Sequence, residues 1–141
     1  MQQIYDWKAP RHDQIRKRSS KAANARIDRE TREALDALAT PDQIRERLTE
    51  LDHEWTVDRA LMLNFAIAGT ISASLAIRTA IKHRRLGGFA ALLGTQLAFL
   101  AHHAVRRWCP PMPVFRRLGF RSDREICAER VALEKRLAQL L

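Results

Sequence analysis

Two apolar stretches, residues 60–81 and 86–105, limit what this chain can fold into more than anything else in its 141 residues. The first reads ALMLNFAIAGTISASLAIRTAI and the second LGGFAALLGTQLAFLAHHAV. Neither contains Asp, Glu or Lys, and Arg78 is the only charge in either. A helix rising about 1.5 Å per residue needs roughly 20 apolar residues to cross about 30 Å of hydrocarbon. Both stretches reach that length. A soluble helix carries a polar face along its length; these two do not, and the flanking chain is too polar to wrap them. The expected fold is therefore all-α: a two-span transmembrane helical hairpin (60–105) with amphipathic N- and C-terminal helices. The competing reading, a soluble α-protein with a buried hairpin, rests on a mean hydropathy of −0.34 and a charged fraction of 29%. Nearly all of that charge lies outside the two stretches.

The net charge of +9 is unevenly spread. Residues 1–59 hold 12 Lys/Arg and 12 Asp/Glu, residues 78–85 hold four Lys/Arg and no acid, and residues 106–141 hold nine Lys/Arg against four acids. The excess brackets the hairpin, which suits anionic lipid headgroups at about 1 kcal/mol per basic residue near the surface. The expected partners are the bilayer and other membrane-protein subunits. A nucleic-acid partner needs a basic face interleaved with aromatics or a recognition motif, and neither is present. Cys109 and Cys127 lie 18 apart without C-x-x-C or zinc spacing, which fits a reducing compartment. The N-terminus has no apolar h-region, so the first apolar stretch is expected to act as its own insertion signal. A hairpin puts both termini on one side. Within about 20 residues of the spans that side carries nine Lys/Arg against four at the turn. The majority favours both termini in the cytoplasm of a multi-pass membrane protein, while a turn this basic argues the other way.

In chain order, residues 1–22 read as a basic flexible arm in which Ile4, Tyr5 and Trp7 can dock elsewhere. Residues 23–59 read as N-terminal amphipathic helices. The segment 24–38 is rich in helix formers but sparse in apolar positions (Ala25, Ile27, Leu35, Leu38), so it must lie on something else. Thr40, Pro41 and Gln43 form a start signal with a capping box. Beyond it Ile44, Leu48, Leu51 and Trp55 share one helical face, with Trp55 at headgroup level. Within the hairpin, Ala66/Thr70/Ser74, Gly69/Ala73, Gly87/Ala91 and Ala90/Gly94/Ala98 repeat at four-residue spacing. Small residues at that spacing let helix backbones approach closely in a membrane. One stripe on each span is expected to close the hairpin and another to face a second protein. Residues 106–141 read as a Pro-rich interfacial turn and a C-terminal amphipathic helix. Arg106, Arg107, Trp108 and Phe115 lie at the membrane surface, and Pro110, Pro111 and Pro113 forbid helix. Ser122 to Glu125 is a second capping box, opening a helix with the stripe Ile126, Leu133, Leu137 and Leu140. That stripe has either the 42–55 helix or a partner to pack on.

The run WCPPMPVFRRLGF (residues 108–120), the capped helix after it, and the segments ANARIDRET (23–31) and LTELDHEWTVDRA (48–60) resemble a family of small bacterial inner-membrane proteins of unknown function. That family is related to the YgaP-like two-span hairpin sometimes fused to rhodanese domains. The resemblance covers about residues 23–133. It implies two spans with a cytoplasmic N-terminal helical region and no established activity. The tail EKRLAQLL (134–141) departs from it.

Candidate chemistry is sparse. His102 and His103 near the end of the second stretch are weak cofactor ligands, because adjacent helical residues point about 100° apart. Cys109 follows Arg106 and Arg107, which favours a thiolate, and the rhodanese association of the resembled family makes a sulfur-handling role conceivable. No second cysteine lies near it. No nucleophile–base pair, phosphate loop or carboxylate pair supports catalysis. No cofactor or metal is expected. The sequence therefore points to a non-enzymatic accessory or assembly subunit of a larger membrane complex. The alternative is a membrane thiol, sulfur-handling or redox protein using Cys109 with a nearby histidine.

Overall fold

The computed structural model describes residues 12–85 and 87–141. The described chain is all-helical: α1 (Gln14–Lys17), α2 (Lys21–Ala37), α3 (Pro41–His53), α4 (Val57–His83), α5 (Gly88–Arg106), α6 (Met112–Arg117) and α7 (Asp123–Leu140). The starts are set by short oxygen-bearing side chains that accept from the first free N–H groups. Asp13 serves α1, Ser20 serves α2 and Thr56 serves α4. Both expected capping boxes are complete: Thr40 with Gln43 on α3, and Ser122 with Glu125 on α7. The helices α4 and α5 both stop at an arginine in the left-handed region, Arg84 (φ 51°) and Arg107 (φ 52°).

Helices α4 and α5 form the hairpin. Both are long and apolar enough to cross a membrane, and little of either is covered: 22% of the most apolar window of α4 and 6% of that of α5. At the tip they meet closely. A Cβ on Gly87 would fall 2.9 Å from Thr79 Cγ2, so that position admits only glycine without a shift. Further down, Ser72 and Ala76 are buried, and a Cβ on Gly69 would lie 3.9 Å from Gln96 Oε1.

The remaining helices make a base at the other end of the hairpin, with two cores. In one, Ile44 and Leu51 of α3 meet Ile126 and Leu133 of α7, with Leu35 of α2 alongside. The stripe of α7 thus packs on the 42–55 helix. In the other, Val57, Leu61 and Phe65 at the foot of α4 meet Ile15, Cys109 and Met112. The buried positions of α2 are Ala23, Ile27, Thr31 and Leu35, one every four residues. That face lies toward α6 and α7, held by an Arg26 hydrogen bond to the Arg117 carbonyl (2.8 Å). Gly119, at φ 102°, makes the turn out of α6 that an L side chain resists.

Three expectations change. The first concerns the arm 1–22. Residues 1–11, and with them Ile4, Tyr5 and Trp7, lie outside the described residues. From Asp13 onward the chain is helical and packed, because Ile15 enters the second core and Arg16 is held by Asp28 and Glu125. The second concerns the prolines. Pro111 and Pro113 do not forbid helix; they stand at the N-cap and the first turn of α6, where no intrahelical N–H bond is lost. The third concerns Trp55, which is not on α3. That helix ends at His53 because Glu54 turns extended and gives its carboxylate to Arg121. Trp55 is left 41% exposed beneath the Arg59 guanidinium, 4.5 Å from its ring centre.

Leu133 has no exposed surface and joins α3 to α7. Leu133→Ala is expected to destabilise the base by about 2–5 kcal/mol. In thermal melts followed by far-ultraviolet circular dichroism, the base transition should move down while the hairpin helicity persists.

Candidate functional site

Two polar assemblies occupy the base. The larger is a lattice of guanidinium and carboxylate groups organised by two glutamates one turn apart on α7. Glu125, fully buried, receives Arg116 (2.5 and 2.8 Å), Arg16 (2.5 Å) and the Ser122 backbone N–H (2.8 Å). Arg116 is also fully buried and donates to the Asn24 side chain and the Phe120 carbonyl. Glu129, likewise buried, receives Arg47 (2.9 Å) and Arg121, and Arg121 in turn holds both oxygens of Glu54. Burial alone would push the Glu125 carboxyl up. The hydrogen bonds and charges of Arg116 and Arg16 and the Ser122 N–H outweigh it and hold the group below the ordinary glutamate range. By the same balance Arg121 is held above the ordinary arginine value, with burial opposed by Glu54 and Glu129.

The smaller assembly lines a cavity of about 310 Å³ at the foot of the hairpin. Its walls come from four helix ends: Asp13 and Gln14 at the start of α1, Asp58 and Met62 on α4, His103 and Arg107 at the close of α5, and Ser122 to Arg124 at the start of α7. The local sequence sets each of these positions. Asp58 stands in the first turn of α4, the favourable end for a carboxylate. His103 stands in the last turn of α5, the favourable end for a proton-binding side chain. Asp13 caps α1 with one oxygen and accepts a hydrogen bond from the Ser122 hydroxyl with the other, and Arg124 donates to the His12 carbonyl. His103 is 7% exposed, and its Nε2 comes 3.2 Å from Asp58 Oδ1. That approach lacks hydrogen-bond alignment. Asp58 Oδ1 and His103 Nδ1 are both sealed from solvent with no hydrogen-bond partner among the described residues.

The candidate residues fall as follows. The two histidines diverge as the helical rotation requires. His102 is exposed and its Nδ1 lies 2.8 Å from the Trp108 carbonyl, whereas His103 turns inward to Asp58. Cys109 has no exposed surface, and burial pushes its thiol up, away from the thiolate. Cys127, on α7, is exposed. Trp108 is half-buried beneath Arg18, Phe115 is half-buried against Phe120, and Arg106 and Arg107 are exposed. Of the small residues, Gly69 and Gly87 lie against the facing helix, and Ala73 and Ala90 are half-buried. Ala66, Thr70 and Ala98 face outward, and nothing lies within 4 Å of a Cβ built on Gly94. Among the described residues no three His, Cys, Asp or Glu side chains converge as metal ligands.

The sequence reading missed Asp13, Asp58, Asp123 and Arg124, and with them the whole lattice. A carboxylate two residues ahead of a long apolar run was a usable signal, because charge at that boundary is costly. The pairing of residue 58 with residue 103 depends on the rotation of the two long helices and carries no local signature. No protein-family profile matches this sequence, and neither the curated proteins nor the solved structures give a match.

Glu125→Gln leaves Arg116 buried without its counter-charge, an expected loss of about 3–5 kcal/mol. Because the folded carboxyl lies below its ordinary value, the stability it contributes is complete above about pH 4.3. It is lost as pH falls through the lower folded value. Melting temperature plotted against pH should therefore lose part of its acid limb in Glu125→Gln. Asp52→Asn, which breaks an exposed pair with Arg130, should leave the curve unchanged.

Proposed function

We propose that this chain is a non-enzymatic, two-span protein of the bacterial inner membrane, an accessory or assembly subunit of a larger membrane complex, with its helical base in the cytoplasm. The observation that carries the reading is the outward face of the hairpin. Ile67, Ile71 and Ile77 of α4 and Leu92 and Leu97 of α5 are about half exposed or more, on helices whose length suits a bilayer. In water, an apolar surface of this extent along two helices marks an aggregation liability or an interaction site; in lipid it is solvated. Subunit character is supported by the small residues left outside the hairpin contact. Ala66, Thr70 and Ser74 form an outward stripe, and their hydroxyls are satisfied within α4: Thr70 donates to the Ala66 carbonyl and Ser74 to the Thr70 carbonyl. Such a surface suits a helix of another protein. The basic residues flanking the foot favour a cytoplasmic base. Membership in the inner-membrane family that residues 108–120 resemble belongs to the same proposal.

The membrane test is retention in the pellet after alkaline carbonate washing; release into the supernatant would overturn the reading. Orientation is open to thiol labelling, because Cys127 is exposed on the base and Cys109 is not. A membrane-impermeant maleimide should label inverted vesicles and not intact spheroplasts, and the opposite pattern would place the base outside. Extraction in mild detergent should give a particle several times the 16.2 kDa of one chain, containing other proteins. A particle holding this chain alone would remove the subunit role.

A further inference from the structure

Arginines in the base are largely spent on carboxylates: Arg16, Arg47, Arg116 and Arg121 all end in the lattice around Glu125 and Glu129. Arg18 and Arg106 are not. Both are exposed, and neither forms an ion pair or donates a hydrogen bond among the described residues. They flank Trp108. The Arg18 guanidinium lies 5.2 Å from the centre of the indole ring, and Arg106 precedes the tryptophan by two residues. The tryptophan itself is held in place. Its body packs on the core at the foot of α4, and its carbonyl accepts from His102 Nδ1 at 2.8 Å. A carbonyl oxygen only accepts, so Nδ1 carries the proton and the imidazole is fixed, edge-on to the indole with ring centres 6.1 Å apart. His102 and Arg106, four apart on α5, share one helical face.

A guanidinium in water is well solvated and needs no partner. What marks this flank is the apolar surface mixed with the charge. Val105, next to Arg106, is 80% exposed, and Val114 and Leu118, one turn apart on α6, also face outward. Arginine matches phosphate oxygens in a bidentate way. Tryptophan, apolar in body with one polar N–H, suits the boundary between hydrocarbon and water. An acidic peptide or a nucleic acid would meet the two guanidiniums and leave the valines and leucine in water; a phospholipid meets both. The hairpin tip makes the contrast. Arg78, Lys82, Arg84 and Arg85 are exposed and unpaired among the described residues, but no tryptophan or tyrosine stands with them.

We propose that the flank formed by Arg18, Arg106 and Trp108 is a docking surface for the headgroups of anionic phospholipids, with the two guanidiniums on phosphate and the indole at the acyl boundary. The proposal rests on the membrane reading above and deepens it, because it names the class of lipid and the residues that hold it. Net charge decides the class. A zwitterionic headgroup carries its own cation toward the arginines, whereas phosphatidylglycerol carries none.

The test uses the full chain in mild detergent, carrying Trp7→Phe and Trp55→Phe so that Trp108 is the one remaining tryptophan. Phosphatidylglycerol and phosphatidylcholine, brominated at the same acyl positions, are titrated separately, and quenching of the Trp108 emission is read. The expected result is half-quenching by the glycerol lipid at a concentration lower by about 25-fold, about fivefold for each of two basic residues. Arg18→Gln and Arg106→Gln, both at exposed positions, should each remove about fivefold of that preference with the fold intact by circular dichroism. Lys82→Gln, at the tip, should leave it unchanged. Equal quenching by the two lipids, or a loss in Lys82→Gln as large as that in Arg106→Gln, would overturn the proposal. A chain that alkaline carbonate releases from membranes, yet keeps the Arg106-dependent preference, would sustain this surface and remove the spans. A chain retained by membranes but indifferent to headgroup charge would do the reverse.

Discussion

Everything in the base is fixed relative to two carboxylates, Glu125 and Glu129, that stand one turn apart on α7 with no exposed surface. Removing a carboxylate or a guanidinium from water costs several kcal/mol, and their mutual attraction offsets that only when geometry and hydrogen bonding are complete. Here the partners come from far along the chain: Arg16 on α1, Arg47 on α3, Arg116 on α6 and Arg121 before α7. Each carboxylate is satisfied only when several segments are in place together. This favours an all-or-none base over a collection of helices that dock singly. The same lattice reaches the hairpin, because the Arg121 carbonyl accepts the Val57 N–H at 2.8 Å. The foot of α4 is therefore set in register by the residue whose side chain joins Glu54 to Glu129.

This explains which parts of the fold could be read in advance. Apolar runs and capping boxes are local, and the two long apolar helices, the start of α3 and the start of α7 followed from them. The stripe Ile44/Leu48/Leu51 also met the stripe of α7, since matching apolar faces need each other. Periodicity treats Glu and Arg as solvent-facing, however, so it saw Ile126 and Leu133 and passed over Glu125 and Glu129, which complete the same buried face. The prolines misled for a related reason. Proline opposes a helix interior but suits the first turn, and Pro111 and Pro113 lie at the start of a helix only six residues long. Trp55 fitted the periodicity of α3, yet the ion pair of Glu54 ended the helix first.

The hairpin contact divides the small-residue stripes in a way that spacing alone does not decide. Four-residue repeats on both spans offered several equivalent pairings. The one adopted places Gly87 against Thr79 at the tip and Gly69 near Gln96 further down, leaving Ala66, Thr70 and Gly94 outside. The foot selects that rotation. Phe65 and Leu61 must enter the core with Met112, and His103 must turn toward Asp58, which fixes the angular position of both helices at one end.

The unequal helix lengths follow from the same clamp. Helix α4 has 27 residues and α5 has 19; at about 1.5 Å each these are roughly 40 and 28 Å. As a membrane pair they mismatch by some two turns, which would demand strong tilt or local thickening of the bilayer. In the proposed membrane setting the surplus lies outside the hydrocarbon region. The first turns of α4 are the ones committed to the base: Val57, Ala60 and Leu61 are buried there. What is left, from about residue 62 to the tip, comes to roughly the 20 residues that one crossing needs, close to the length of α5. Asp58 and His103 then stand at the level where both spans leave the hydrocarbon in the proposed setting. A carboxylate and an imidazole can persist there because a headgroup or the base supplies the polar partners that lipid chains cannot.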